Sequence, residues 1–203
     1  HVRSRRQRQM CIRDSIRAVE NEILSSKICR CFDCRQVLYE ESMFDGQKVS
    51  KSRIITSVDY SMVSMEAFEI YAANHDIHVM DFVLKLDAYS YYMMNLLDYL
   101  TGNTDRHWGN WGFLVDNRTN QPVRLFDLMD LNQTFLAYDT PDGANCMTTG
   151  NRKMSQREAA VEAVKNIGLN QKDEIKDEWF KGREKEREMF WCRFGILKEQ
   201  WKA

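Results

Sequence analysis

Three polar side chains with different chemistry are crowded into one short segment of the sequence, Gly102 to Phe113. They are Asp105, His107 and Asn110, and the segment lies between an apolar run typical of a helix and an apolar run typical of a strand. A carboxylate can orient a hydroxyl or accept its proton, and an amide oxygen can bind a hard cation such as Mg²⁺. We therefore expect this segment to carry the chemistry of the protein.

A second acidic segment, Phe126 to Asn132, contains Asp127 and Asp130. Phosphoryl transfer from ATP needs a carboxylate at the attacking hydroxyl and oxygen ligands that hold Mg²⁺ against the phosphates. In kinase catalytic loops the base Asp and the metal-binding Asn are five residues apart, which is also the spacing of Asp105 and Asn110. The second metal-binding Asp would come from the later segment, with Asp130 preferred and Asp127 the alternative. A purely structural interpretation, in which Asp105 and Asn110 cap the preceding helix and shape a turn, stays open.

The elements that must position these groups begin with a helix and a hairpin. From Ile16 to about Arg30 the apolar residues recur at three- and four-residue steps, which predicts an amphipathic helix. Runs of β-branched and aromatic residues at 36–39 and 48–56 are separated by the turn dipeptide Asp45-Gly46. These two runs therefore predict a β-hairpin.

The polar loop itself is predicted to lie between a long helical region and a second hairpin. Ser64 is a suitable helix N-cap, and Gly102 is a suitable helix stop. Helices are predicted over 65–73, 79–86 and 89–100, the last two separate or continuous, and strands over 111–115 and 123–126. The order is thus helix, polar loop, hairpin, acidic loop.

The C-terminal part is predicted to be helical. Ser155-Gln-Arg-Glu158 is a capping box for a helix that runs to about Ile167, with Gly168 as its stop. The charged stretch 173–201, interleaved with Trp and Phe, predicts one or two further helices. The fold class is therefore α+β.

The two polar segments resemble those of one protein family. Asn103-Thr-Asp-Arg-His-Trp-Gly-Asn110 matches the Asn-x-Asp-x-His-x-x-Asn catalytic loop of HipA-like kinases, and Leu125-Phe-Asp-Leu-Met-Asp130 resembles their metal-binding segment. Asp-Arg-His-x-x-Asn is also similar to the catalytic loop of phosphatidylinositol kinases, which share the distant fold. The resemblance extends over about 21–170, because Asn21-Glu-Ile-Leu-Ser-Ser26 is similar to the small-lobe helix of the family.

The resemblance implies a role for each matching residue. Asp105 would be the catalytic base or hydroxyl-orienting group, and His107 would support the loop by packing beneath it. Asn110 and Asp130 would bind Mg²⁺ at the ATP phosphates. Asp127 stands where the family often has Pro, so the choice between Asp127 and Asp130 stays open.

The resemblance also implies a kinase-like organisation and two cofactors, ATP and Mg²⁺. Residues 16–57 would form a partial small lobe, and 58–203 a mostly helical large lobe that carries the catalytic hairpin. Glu22 could pair with the ATP-binding lysine. The acceptor would be a hydroxyl, of a protein Ser or Thr or of a small molecule, and the resemblance suggests an antitoxin-like partner.

The sequence departs from the family pattern at its beginning. It has no Gly-rich phosphate loop and no lysine-bearing strand before Asn21, and 1–15 closely resembles a translated sequencing adapter. We therefore expect 1–15 to be an artefact and the chain to be an N-terminally truncated metagenomic fragment. Whether such a fragment transfers phosphate alone stays open.

Composition excludes some other classes of function. The chain has 29 Lys and Arg against 30 Asp and Glu, so no overall positive field favours nucleic acid or an acidic membrane. No stretch approaches the roughly 20 apolar residues of a membrane span. Six cysteines at irregular spacing favour reduced thiols, and we expect a cytoplasmic protein. Zinc binding at Cys29, Cys31 and Cys34 is a minor alternative.

Two alternative functions stay open. The chain could be a non-catalytic kinase-fold protein that binds a nucleotide or a partner, although the presence of Asp105, Asn110 and Asp130 disfavours this. It could also be the DNA- or protein-binding half of a toxin–antitoxin-like system. The near-neutral charge and the lack of a helix-turn-helix pattern argue against direct DNA binding.

Overall fold

The computed structural model of the protein describes residues 16–136 and 138–202. The predicted adapter-derived block 1–15 lies outside them. The helices are α1 Ile16–Arg30, α2 Met65–Ala73, α3 Val79–Thr101, α4 Gln156–Ile167 and α5 Glu184–Lys202, with a 3₁₀ turn at Asp177–Phe180. The strands are β1 Tyr39–Phe44, β2 Gln47–Ser52, β3 Tyr60–Ser64, β4 Gly112–Asp116 and β5 Gln121–Leu125. Helices thus combine with small antiparallel sheets.

The first sheet is the predicted hairpin of β1 and β2, against which α1 packs. Asp45 and Gly46 both have left-handed backbone conformations, with φ values of 48° and 74°. This pair closes a two-residue turn whose twist matches that of the strands. The first strand begins at Tyr39 rather than at residue 36, because Gln36 bridges Leu128 instead.

The second sheet has the order β3-β4-β5, and all neighbours are antiparallel. The hairpin of β4 and β5 confirms the prediction, with each strand shifted by one or two residues. Strand β3 was not predicted, because its five residues show no clear alternation and its last residue, Ser64, is also the N-cap of α2. It pairs with β4 and so holds the hairpin that follows the polar loop.

Helix α3 leads into the polar loop and forms the centre of the core. Its predicted halves form one helix with a kink at Asp87, and the side chains of Leu96, Leu97 and Leu100 are fully buried. It packs against α4, α5 and β5. A large part of the buried apolar surface therefore surrounds the helix that presents the loop.

Gly102 ends α3 in a left-handed conformation with φ 62°, and its N–H donates to the carbonyls of Asp98 and Tyr99. A Cβ at this position would lie 2.3 Å from Cδ2 of Tyr138, so the turn requires glycine for space as well as for φ. The predicted caps of α2 and α4 are both present. In the described part of the chain, every helix is too short or too polar to cross a membrane. The division at residues 57 and 58 into two lobes stays a prediction.

Candidate active site

The polar loop is closed by the amide of Asn110. Its Nδ2 donates to the backbone carbonyl of Asp105 at 2.9 Å and lies 3.4 Å from Oδ2 of the same residue. At the start of the loop, Asn103 accepts the N–H of Asp105 at 3.2 Å and donates to Asp98 at 2.9 Å. The five-residue spacing thus places the Asp105 carboxylate and the Asn110 amide side by side.

Arg106 joins this loop to the second acidic segment. It is 3% exposed, and its Nε and one terminal nitrogen donate to both carboxylate oxygens of Asp98 in α3, at 2.8 and 3.0 Å. Its other terminal nitrogen donates to the carbonyls of Asn110, at 2.8 Å, and Met129, at 2.6 Å. A single guanidinium therefore fixes the helix, the polar loop and the residue before Asp130.

The groups around Arg106 act on its pKa in opposite directions. Burial opposes its charge, but the attraction and hydrogen bonds of Asp98, followed by the charges of Asp130 and Tyr39, raise its pKa above the ordinary value. Neither Asp98 nor Arg106 was predicted as a site residue. The available signal was a charged residue, Asp98, inside an otherwise apolar helical run, which indicates a buried partner.

Asp130 lies next to the polar loop, in a left-handed backbone conformation with φ 57°. Its N–H donates to the hydroxyl of Tyr39 at 3.1 Å. Just beyond it, the carbonyl of Gln133 accepts the N–H of Thr104 at a longer 3.4 Å. The second acidic segment and the residues just after it thus run alongside the polar loop.

Asp127 is engaged elsewhere. Its Oδ1 accepts from Arg124 at 2.6 Å, within the partly buried base of the β4–β5 hairpin. This ion pair neutralises Asp127, whereas Asp130 lies in the electrostatic field that includes Arg106 and Tyr39. Asp127 is thus paired within the hairpin, whereas Asp130 lies close enough to Arg106 and Tyr39 to act on both.

His107 does not occupy the buried position that the resemblance implied. Its side chain is 48% exposed, its Nε2 lies 3.8 Å from Oδ1 of Asp105, and its Nδ1 accepts the N–H of Gly109 at 3.0 Å. The prediction that His107 packs beneath the loop is therefore wrong. The buried supporting side chain is Arg106, because the guanidinium can satisfy several carbonyl and carboxylate oxygens at once.

Glu22 lies in α1, buried at 5% exposure, and accepts a hydrogen bond from the hydroxyl of Ser50 in β2. It also lies near Tyr39, whose pKa is raised first by burial and then by the Glu22 carboxylate. Glu22, Tyr39 and Asp130 therefore form a connected group on the α1 side of the loop.

The donor set can be tested against the two metals considered. In the described residues, 16–136 and 138–202, no three side chains of His, Cys, Asp or Glu are arranged to hold a metal ion, so the zinc alternative at Cys29, Cys31 and Cys34 finds no support. Mg²⁺ needs less from the protein, since one or two carboxylates plus phosphates and water suffice. Asn110 donates to Asp105 through Nδ2, which leaves its Oδ1 on the other arm of the amide, and Asp130 supplies a carboxylate. These oxygens are of the chemical type that Mg²⁺ prefers.

Comparison with known proteins gives a fold. No protein-family model and no curated protein sequence matches the chain. A crystal structure of the Helicobacter pylori proinflammatory kinase CtkA is similar, with a TM-score of 0.69, 13% sequence identity, and coverage of 92% of this chain and 82% of that one. The protein therefore has a kinase-like fold.

Proposed function

We propose that the protein is a phosphotransferase that uses Mg²⁺ and ATP to phosphorylate a hydroxyl. The observation that carries this proposal is the position of Arg106, which joins the loop of Asp105 and Asn110 to the segment of Asp130 in a kinase-like fold. The more specific assignment, a HipA-like kinase acting on protein Ser or Thr, is supported by the sequence resemblance alone, chiefly by the motif Asn103 to Asn110.

In this proposal Asp105 acts on the acceptor. Its side chain is 46% exposed, so a substrate hydroxyl can reach it, and its neighbour Asn110 keeps the loop in shape. The carboxylate orients the hydroxyl and accepts its proton as the bond to the γ-phosphorus forms and the bond from that phosphorus to the departing ADP breaks. His107, exposed beside Asp105, borders the same approach path.

Asn110 and Asp130 would hold Mg²⁺ from two sides through their side-chain oxygens, and Asp127, paired with Arg124, is the less suitable ligand. Mg²⁺, when bound, neutralises phosphate charge and fixes the geometry of the phosphates. Glu22 is proposed to act at the ATP end of the site, as the partner of a lysine. Its burial beside Tyr39 and Asp130 supports that location.

The test compares the protein with its Asp105→Asn variant. We expect Mg²⁺-dependent transfer of the γ-phosphate, to a protein hydroxyl or to the chain itself, to fall at least about a hundredfold in the variant, because Asn cannot accept the proton. Transfer is followed with radiolabelled ATP, and unfolding of both proteins is measured to show that the fold persists.

A matched control is Asp81→Asn, an exposed carboxylate in the first turn of α3 that is 81% exposed and pairs with His78. It should transfer phosphate at the wild-type rate. Undiminished transfer by Asp105→Asn would contradict the proposal. Equal Mg²⁺-dependent ATP binding by wild type and Asp105→Asn without turnover in either would instead identify the non-catalytic alternative.

A further inference from the structure

One peptide group in the second acidic segment is held from both sides. The carbonyl of Met129 accepts from Arg106 at 2.6 Å, and the N–H of Asp130 donates to the hydroxyl of Tyr39 at 3.1 Å. Both atoms belong to the single peptide unit that joins Met129 to Asp130. Because the carbonyl and the N–H of a trans peptide point in opposite directions, Arg106 and Tyr39 lie on opposite sides of this unit.

The conformation of Asp130 explains why such support is needed. Its φ of 57° lies in the left-handed region, which residues other than glycine populate sparsely. A strained backbone conformation persists only where its surroundings determine it. The plane of the Met129–Asp130 peptide and the φ of Asp130 together set the direction in which the Asp130 side chain leaves the backbone.

The chain brings Tyr39 to this peptide through a short parallel register. Leu128 donates its N–H to the carbonyl of Arg35 at 3.0 Å, and its carbonyl accepts the N–H of Val37 at 2.9 Å. Two residues further along each segment, the Tyr39 side chain meets the Asp130 backbone. The connection from α1 to β1 thus runs directly beside the second acidic segment.

Buried charges surround the phenol. Burial raises the pKa of Tyr39 most, followed by the charge of Glu22, whereas the hydrogen bond from the N–H of Asp130 and the charge of Arg106 lower it. The phenol oxygen of Tyr39 accepts the N–H of Asp130 within this group of charges. The proposed function, as described above, gives Tyr39 no role of its own.

We propose that Tyr39 is a positioning residue that holds Asp130 in the orientation for binding the divalent cation. This inference rests on the proposed function, in which Asp130 is a metal ligand. It assigns the hairpin of β1 and β2 a direct part in the metal site, through a side chain that touches neither substrate nor metal.

The test uses Tyr39→Phe, which keeps the ring and removes the hydroxyl. Mn²⁺ replaces Mg²⁺ as the probe, and protein-bound Mn²⁺ is followed by water-proton relaxation in the presence of ATP. We expect the apparent dissociation constant for the metal to rise about tenfold, as for other residues that orient metal ligands. In the transfer assay the Mg²⁺ concentration for half-maximal rate should rise similarly, while the rate at saturating Mg²⁺ stays near that of the wild type.

The matched control is Tyr99→Phe, which removes another phenol hydroxyl. That hydroxyl donates one hydrogen bond, to the carbonyl of Pro141 at 2.7 Å, and Pro141 lies outside the second acidic segment. It should leave metal binding unchanged. Wild-type metal affinity in Tyr39→Phe would overturn the inference. If neither the wild type nor either variant transfers phosphate but Tyr39→Phe still weakens Mn²⁺ binding, the inference stands and the proposed catalysis fails. A wild type that binds no Mn²⁺ would overturn both.

Discussion

Arg106 carries a positive charge into the interior at the point where the two polar segments meet. Its replacement by Leu leaves Asp98 as a buried carboxylate without its ion-pair partner and removes the hydrogen bonds to Asn110 and Met129. Breaking a buried pair on one side costs about 3–5 kcal/mol. We predict a loss of that size in the free energy of unfolding of Arg106→Leu, measured with urea, together with loss of phosphate transfer.

Arg157→Leu is the control for this prediction, because Arg157 pairs with Asp142 at the surface, where the two side chains are 44% and 65% exposed. Exposed pairs contribute about 1 kcal/mol or less. Equal stability of the two variants would show that the network around Arg106 is not the anchor of the loops.

At the residue scale, the sequence indicates residues that could act in a reaction more readily than residues that hold them in place. Asp105, Asn110 and Asp130 could be proposed as site residues because their types and spacing follow from the proposed reaction. Arg106 could not, because its role depends on contacts with residues 98 and 129, which no local pattern relates to it. His107 is part of the motif, but its side chain is exposed, and the neighbouring Arg106 occupies the buried position.

At the scale of the elements, the start of α4 allows a test of pH dependence. Glu158 accepts from the N–H and the hydroxyl of Ser155, and these hydrogen bonds lower its pKa below the ordinary value of 4.5. A lowered pKa means that the ionised carboxylate stabilises the folded state. This contribution is complete above pH 4.5 and is lost as the pH falls through the folded-state pKa.

We therefore predict that Glu158→Gln is less stable than the wild type near neutral pH and that the difference shrinks in acid. Urea unfolding from about pH 7 to about pH 3 measures it, with the exposed Glu188→Gln in α5 as the control. A difference that grows in acid would contradict the sign of this argument.

Capping boxes and turns could be predicted because their signals are local. The short strand β3 and the shift of β1 to Tyr39 could not, because they depend on pairing with β4 and with Leu128, far along the chain. The kink of α3 has a similar origin, since Asp87 accepts hydrogen bonds from Ser90 in its own helix and from Leu125 in β5.

At the scale of the whole molecule, α1 is fixed by buried polar contacts to distant segments. Asn21 donates to the carbonyl of Thr134 at 2.5 Å, and Ser25 donates to the hydroxyl of Thr134 at 2.7 Å. Arg183, just before α5, donates to Asn21. The helix that carries Glu22 is thereby attached to the chain immediately after Asp130, an arrangement that only the three-dimensional structure reveals.

The proposed function requires Asp105, Asn110 and Asp130 to form one site for Mg²⁺ and ATP. A crystal structure of the protein with Mg²⁺ and a non-hydrolysable ATP analogue shows whether they do. We predict the cation at about 2.1 Å from Oδ1 of Asn110 and from a carboxylate oxygen of Asp130, with the terminal phosphate facing Asp105. A nucleotide bound away from these residues, or a cation held by Asp127 instead of Asp130, would contradict it.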